Sequence, residues 1–259
     1  MFYRILILFL AVAINFQENA AIPLEKIVGG WPANPGEFPY QVSLRMNGKH
    51  ICGGSIISNS HILTAAHCLQ DYEDSLKLLS IVSGTNELFQ GGQFHKICKI
   101  SLHPEYKDGP EFAWHNDIAI ITLTKSMSFN SFQNKIKLPS KNLRTESEGI
   151  ASGWGLIFPN FETVPNELQK LRTLVCPSTS CNEHFPFSLH QEQICAKQQQ
   201  GSGACSGDSG GPLVVNEEVV GIASWVVPCA RGFPDVYTNV FSYKNFILQE
   251  MKRSKCKNF

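Results

Sequence analysis

The sequence predicts an all-β protein, built as barrels or a sandwich. Short β-favouring runs recur at residues 41–44, 54–57, 62–64, 78–82, 96–102 and 118–123, with turn residues such as Gly48 and Asn59 between them. Many short strands at this spacing are the pattern of closed or stacked antiparallel sheets. The second observation is size: 259 residues, 43% of them hydrophobic, fill one or two cores of ordinary dimensions. The third is balance. A formal net charge of zero gives no electrostatic pull toward nucleic acid or an anionic membrane, and neither is expected as a partner.

Taken in order, the chain opens with Arg4 ahead of an apolar run over residues 5–14, followed by polar and small residues through Ala21. The run is too short to span a bilayer and has the layout of a cleaved signal peptide, so residues 1–21 are expected to be removed and the protein secreted. Ala20 or Ala21 best suits the cut, and Ala11-Val12-Ala13 also fits a small-x-small site. Nine cysteines suit an oxidising compartment. No Asn-x-Ser/Thr triplet is present, so N-glycosylation is not expected. A remnant, Ile22-Pro23-Leu24-Glu25-Lys26, then leads into Ile27-Val28-Gly29-Gly30.

Three stretches carry chemistry. Gly207-Asp208-Ser209-Gly210-Gly211-Pro212 surrounds a serine with glycines that let backbone approach a carbonyl closely. The same residues are those of a polar surface turn, so the reading depends on partners elsewhere. A serine hydroxyl needs a base and a charge sink to act as a nucleophile. Thr64-Ala65-Ala66-His67-Cys68 supplies a histidine, and His115-Asn116-Asp117-Ile118-Ala119-Ile120 sets an aspartate at the head of an apolar strand. The other histidines, at 50, 61, 95, 103, 115, 184 and 190, show no metal-site spacing. Neither a metal nor a cofactor is expected.

With Ile27-Val28-Gly29-Gly30, these segments resemble the trypsin/chymotrypsin family of serine proteases, over residues of about 27 to 251. The resemblance implies two antiparallel six-stranded β-barrels with the active site in the cleft between them, and a C-terminal α-helix. The protease domain would be 27–259: first barrel about 27–139, second about 140–241, helix about 242–253. Residues 140–149 read as the linker, and Ala151-Ser152-Gly153-Trp154-Gly155 resembles the strand that opens the second barrel. Ser242 reads as the cap of a helix presenting Tyr243, Phe246, Ile247 and Met251 on one face, expected to pack on the second barrel.

By the same resemblance His67 is the general base, Asp117 orients it, Ser209 is the nucleophile, and the amides of Gly207 and Ser209 form the oxyanion hole. Lys26 is the site where a trypsin-like protease activates a zymogen, and the freed Ile27 ammonium pairs with Asp208. Disulfides are implied between Cys52 and Cys68, Cys181 and Cys195, Cys205 and Cys229, and Cys98 and Cys256. Cys176 is then odd, either a buried apolar filler or a reactive thiol. The loop over residues 84–94 carries only Glu87, where calcium-binding members carry two glutamates, so no calcium site is expected.

The primary pocket would have Gly203 at its base and Ala204, Ser224-Trp225-Val226 and Pro234-Asp235-Val236-Tyr237 as walls. Gly203 stands where an aspartate would mark a trypsin. Val226 and Asp235 replace usual glycines, the first narrowing the slot and the second adding a carboxylate at the rear. Cleavage after apolar residues follows, Leu, Phe and smaller aliphatics, as in elastases and some arthropod chymotrypsins. Expected partners are peptide and protein substrates, the activating protease and protein protease inhibitors; a monomer and a digestive use are the default. The alternative is a non-catalytic or narrowly specific regulatory or venom homologue; a non-catalytic one commonly lacks a triad residue, and this chain has all three, while a narrowly specific one differs in biology and not in chemistry.

Overall fold

The computed structural model describes residues 29–156, 164–227, 229–253 and 256. The signal segment, the Lys26 junction and Ile27 lie outside the described residues. The first barrel closes in the order β2-β3-β4-β7-β6-β5, built from β2 (Gln41–Met46), β3 (Lys49–Ile56), β4 (His61–Thr64), β5 (Leu79–Ser83), β6 (Gln93–Leu102) and β7 (Ala119–Leu123). β1 (Trp31–Pro32) crosses to pair with β9. The second barrel holds β8 (Ser147–Gly153), β9 (Gln169–Pro177), β10 (Gln193–Lys197), β11 (Pro212–Val215), β12 (Glu218–Trp225) and β13 (Asp235–Asn239). Its sheet runs β9-β10-β13-β12-β11-β8, and the β8–β9 pairing closes it.

Local chemistry explains the hairpins. Asn47 and Gly48, both at positive φ (49° and 79°), give β2 and β3 the two-residue turn whose twist matches the strands. Inward positions are branched and fully buried: Val42, Leu44, Ile56, Ile62 and Ile81 in the first core, Val175, Ile194 and Leu213 in the second. Where the barrels meet, side chains must vanish. A Cβ on Gly53 would stand 3.0 Å from the Gly211 Cα, and one on Gly210 2.2 Å from Thr64 Oγ1. These absent side chains bring the loop holding Ser209 against β3 and β4.

Three expectations are corrected. The linker is shorter than 140–149, because β8 already begins at Ser147 and pairs with β9 through Gly149. The C-terminal helix, α1 (Lys244–Arg253), follows a 3-10 turn over Val240–Tyr243 that is capped by Asn239, whose Oδ1 accepts from the Phe241 amide (3.2 Å). Ser242 lies inside that turn. The apolar stripe packs chiefly on the first barrel: Tyr243 and Phe246 meet the His103 ring, Ile247 is fully buried in the first core, and Lys99 on β6 pairs with Glu250. The helix thus ties the chain's end back across the cleft.

Candidate active site

The register of β4 and β7 positions the first two groups. Thr64 opposes Ala119 in an antiparallel ladder, so the residues following β4 run alongside those preceding β7. His67 and Asp117 therefore meet. The His67 Nδ1 lies 2.8 Å from Asp117 Oδ2, and the His67 amide donates to Asp117 Oδ1 (3.0 Å). Asp117 is fully buried and is gripped from the second barrel too: Ser224 Oγ donates to Oδ2 (2.6 Å) and Thr238 Oγ1 to the Asp117 carbonyl (2.7 Å). A buried carboxylate with three donors is an acceptor-only anion, so Nδ1 carries the ring proton and Nε2 is left as the base.

The approach to Asp117 is strained. Ala113, Trp114 and Asn116 sit at φ 48°, 49° and 60°, a region that Asn tolerates and Trp does not favour. Asn116 is held there by its Nδ2, which donates to the Glu105 carbonyl (2.8 Å), and by the Tyr243 hydroxyl on its Oδ1 (2.8 Å). Burial pulls the His67 pKa down, but the charge and hydrogen bond of Asp117, with a further push from Asp108, outweigh it and leave the pKa raised above 6.5. Asp108 is fixed by Gln70 (3.2 Å) and the Tyr106 hydroxyl (3.0 Å).

Ser209 follows Gly207 (φ 101°). Its carbonyl accepts from Gly53 (2.7 Å), and the next amide, Gly210, donates to Ala223 (2.8 Å). The two bonds seat the Ser209 loop between β3 of the first barrel and β12 of the second. No hydrogen bond joins its Oγ to His67 Nε2, which lies 3.6 Å from Cys68 Sγ. Two of the three groups are joined, and catalytic hydrogen bonds are often incomplete in unliganded sites.

The backbone around Ser209 is set by hydrogen bonds on its carbonyls. Ser206 O accepts from the Leu156 amide (2.8 Å) and Asp208 O from the Gly211 amide (2.9 Å). In planar trans peptides the attached N–H groups point the opposite way, so the Gly207 and Ser209 amides are turned away from those partners. Among the described residues neither donates to a protein acceptor. His50, which sequence reasoning passed over, holds the next peptide: its Nε2 is 2.9 Å from Gly207 O and its Nδ1 2.9 Å from Ser43 Oγ. A carbonyl only accepts, so Nε2 bears the hydrogen. Burial pushes the His50 pKa down to about 4, keeping that tautomer neutral.

Asp208 is buried and faces two glycines, one at the end of β8 and one just beyond it. A Cβ on Gly153 or on Gly155 would stand 2.2 Å from one of its carboxylate oxygens. It accepts from the amides of Gly155 (2.8 Å) and Cys205 (3.0 Å), and burial, working against those bonds, raises its pKa to about 6. No cation neighbours it among the described residues.

The candidate pocket is small. Ala204, Ser209, Ser224, Trp225, Val226 and Asp235 line a cavity of about 20 Å³, room for about one water. A Cβ on Gly203 (φ 151°) would sit 3.3 Å from Asp235 Oδ2. That oxygen accepts from the Ala204 amide (2.7 Å) and from Gln198 Nε2 (3.3 Å). Burial, assisted by the nearby Asp208 charge, raises Asp235 to about 7 against those hydrogen bonds. Sequence reasoning missed Gln198 and Thr238, and placed Ser224 only as a wall; no local pattern marks such long-range partners.

Disulfides link Cys52 to Cys68, Cys98 to Cys256, Cys181 to Cys195 and Cys205 to Cys229, while Cys176 is a buried free thiol. Among the described residues the groupings with metal-ligand proximity are Cys52, His67 and Cys68, and Cys176, Cys181 and Cys195. Each contains a disulfide, whose sulfurs offer no thiolate.

Comparison with known proteins agrees with this geometry. The family model described as Trypsin matches residues 27–247. The chain is 35% identical to Trypsin I-P38 of Gallus gallus, covering 96% of this chain and 98% of that one. It is 37% identical to Chymotrypsin-2 of Vespa crabro over 85% of this chain and 98% of that one, and 38% identical to Trypsin V-B of Rattus norvegicus over 89% and 93%. Relatives named trypsin and chymotrypsin occur side by side, so likeness alone does not choose the pocket type. With its paired barrels, its His67–Asp117 couple and a match of this extent, the chain belongs to the trypsin family of serine proteases.

Proposed function

We propose that this chain is made as a secreted zymogen and becomes, after cleavage at Lys26 by a trypsin-like protease, an endopeptidase that cuts after apolar residues. The observation that carries the reading is the fully buried Asp117 holding both the ring and the amide of His67. His67 Nε2 takes the Ser209 proton as Oγ attacks a peptide carbonyl. The Gly207 and Ser209 amides receive the developing oxyanion, and His67 then protonates the leaving amine. Water repeats the steps on the acyl-enzyme.

Activation follows from Asp208. A buried carboxylate with two amide donors and a raised pKa is an anion awaiting a cation. The Ile27 ammonium freed by the cut supplies one, locking the Gly207–Ser209 turn. Specificity follows from the pocket. Gly203 leaves no charge at the base, Val226 crowds the wall, and the cavity of about 20 Å³ favours the small end of the apolar range. Leu or Phe enters only if Val226 and its segment yield. Peptides and proteins are the substrates and protein protease inhibitors the expected antagonists, acting on a monomer.

The test is cleavage-site profiling of the Lys26-cut protein on a complex peptide mixture, with a His67→Ala control. The reading expects apolar residues, small aliphatics foremost, before the scissile bond. A Lys or Arg preference of tenfold or more would overturn the specificity, and equal cleavage by the control would overturn the mechanism.

A further inference from the structure

The catalytic reading leaves one buried nucleophile unused. Cys176 on β9 lies directly opposite Cys195 on β10 in their antiparallel ladder, so the two side chains share one face of the sheet. Cys195 is already bonded to Cys181. The sulfurs of Cys176, Cys181 and Cys195 all lie within 4.8 Å of one another, and all three residues are fully buried. Directly opposed strand residues have Cα atoms about 4.5–5.5 Å apart, inside the span a disulfide bridges. A third sulfur therefore stands within reach of a formed bond, in a register suited to replacing one of its members.

The thiol also has a proton acceptor. Cys176 Sγ is 3.5 Å from Glu146 Oε1, and the Lys197 Nζ lies 2.6 Å from the same oxygen. Glu146 is exposed on the rim of the second barrel, so a proton delivered to it reaches solvent.

We propose that Cys176 is a thiol–disulfide exchange site that converts the Cys181–Cys195 bridge into a Cys176–Cys195 bridge across β9 and β10. The Cys176 thiol loses its proton to solvent by way of Glu146, and the thiolate attacks Cys195 Sγ. The Cys181–Cys195 bond breaks, and its electron pair leaves on Cys181 Sγ, which takes up a proton. One disulfide and one thiol enter the step and one of each leaves it, so no external oxidant or reductant is consumed. Burial, with the Glu146 hydrogen bond, pushes the Cys176 thiol up to about 11, which makes the step slow at neutral pH and faster as pH rises.

Exchange has a consequence at the cleft. Cys181 begins the short segment that carries Phe185 and Phe187, and both rings pack on Trp225, at 5.1 Å and 6.0 Å between centroids. The new bridge staples the sheet internally and frees the Cys181 end of that segment. Trp225 then loses a tethered neighbour on the cleft wall, whichever bond the enzyme cuts.

The test maps the free thiol. The full chain with Ser209→Ala, which removes self-digestion, is held at pH 7 and pH 9, quenched in acid, denatured, alkylated and digested with pepsin for mass spectrometry. The inference expects alkylation to move in part from Cys176 to Cys181, more at pH 9 than at pH 7, with a Cys176–Cys195 cross-linked peptide appearing alongside. Label on Cys176 alone at every pH and time, or on Cys195, would overturn it. Adding Cys181→Ser gives a second reading: the remaining pair is expected to close across the ladder and leave no free thiol at those positions, whereas two alkylated thiols would refute the register argument.

Discussion

Asp235 offers the sharpest perturbation, because its carboxylate is a buried acid at the back of the pocket with two neutral donors and, among the described residues, no cation. The fold raises its pKa to about 7, while an unfolded chain holds an aspartate near ~3.9. Between those values the native state keeps a proton that the unfolded state has released, so stability falls as pH rises from about 4 to about 7, and is level beyond either end. A gap of about three pH units is worth about 4 kcal/mol. Asp235→Asn keeps the size and the oxygen acceptor but has nothing to ionise. The assay is urea unfolding of the uncut chain with Ser209→Ala, with disulfides intact, at pH 4.5 and pH 8. The parent should lose about 3 kcal/mol more than the Asn variant over that interval, since part of the change lies below pH 4.5. Asp208, raised to about 6, contributes a slope to both proteins, so most of it cancels in the difference and only its coupling to Asp235 remains. A difference below about 1 kcal/mol would refute the claim that the pocket holds a strained acid.

His50→Ala should leave the fold intact and lower kcat about tenfold, a fraction of the loss from removing an oxyanion donor outright, because the Gly207 peptide loses its anchor; steady-state kinetics with stability monitored in parallel checks it. The raised His67 pKa means that the neutral base exists only above that value, so kcat/KM should fall as pH drops through a point above 6.5. Asp108→Asn removes a negative charge that favours the protonated ring, and a pH–rate profile should place the acid limb lower by roughly half a pH unit. Val226→Gly opens the wall of the cavity and should raise kcat/KM for a Phe substrate relative to an Ala substrate by at least about tenfold, the discrimination worth of a few methylene-sized contacts; a two-substrate competition measures the ratio.

The first barrel was legible because its strands advertise themselves. Residues 41–44, 54–57, 62–64, 78–82, 96–102 and 118–123 each fall within or overlap β2 to β7, since short branched runs between turn residues leave the backbone few other choices. The second barrel was read mainly through its motifs. Its strands carry small residues such as Gly149, Gly153 and Gly221 at inter-strand contacts, which lowers their apolar signal. The helix was legible as an amphipathic stripe, but not its destination. A stripe says that something will be covered, and only the Tyr243–Asn116 and Phe246–His103 contacts, more than a hundred residues apart in sequence, decide that the first barrel does the covering. His50 was hidden for the same reason. A lone histidine in a β-strand carries no mark of the carbonyl it will meet at Gly207.

The central claim is that His67, Asp117 and Ser209 act as one unit once the chain is cut at Lys26. Covalent labelling by a fluorophosphonate, read by mass spectrometry, tests it most directly. The account predicts modification at Ser209 alone, fast in the cut protein, much slower in the uncut chain and nearly abolished by His67→Ala. Labelling that is absent after the cut, or that His67→Ala leaves unchanged, would contradict it.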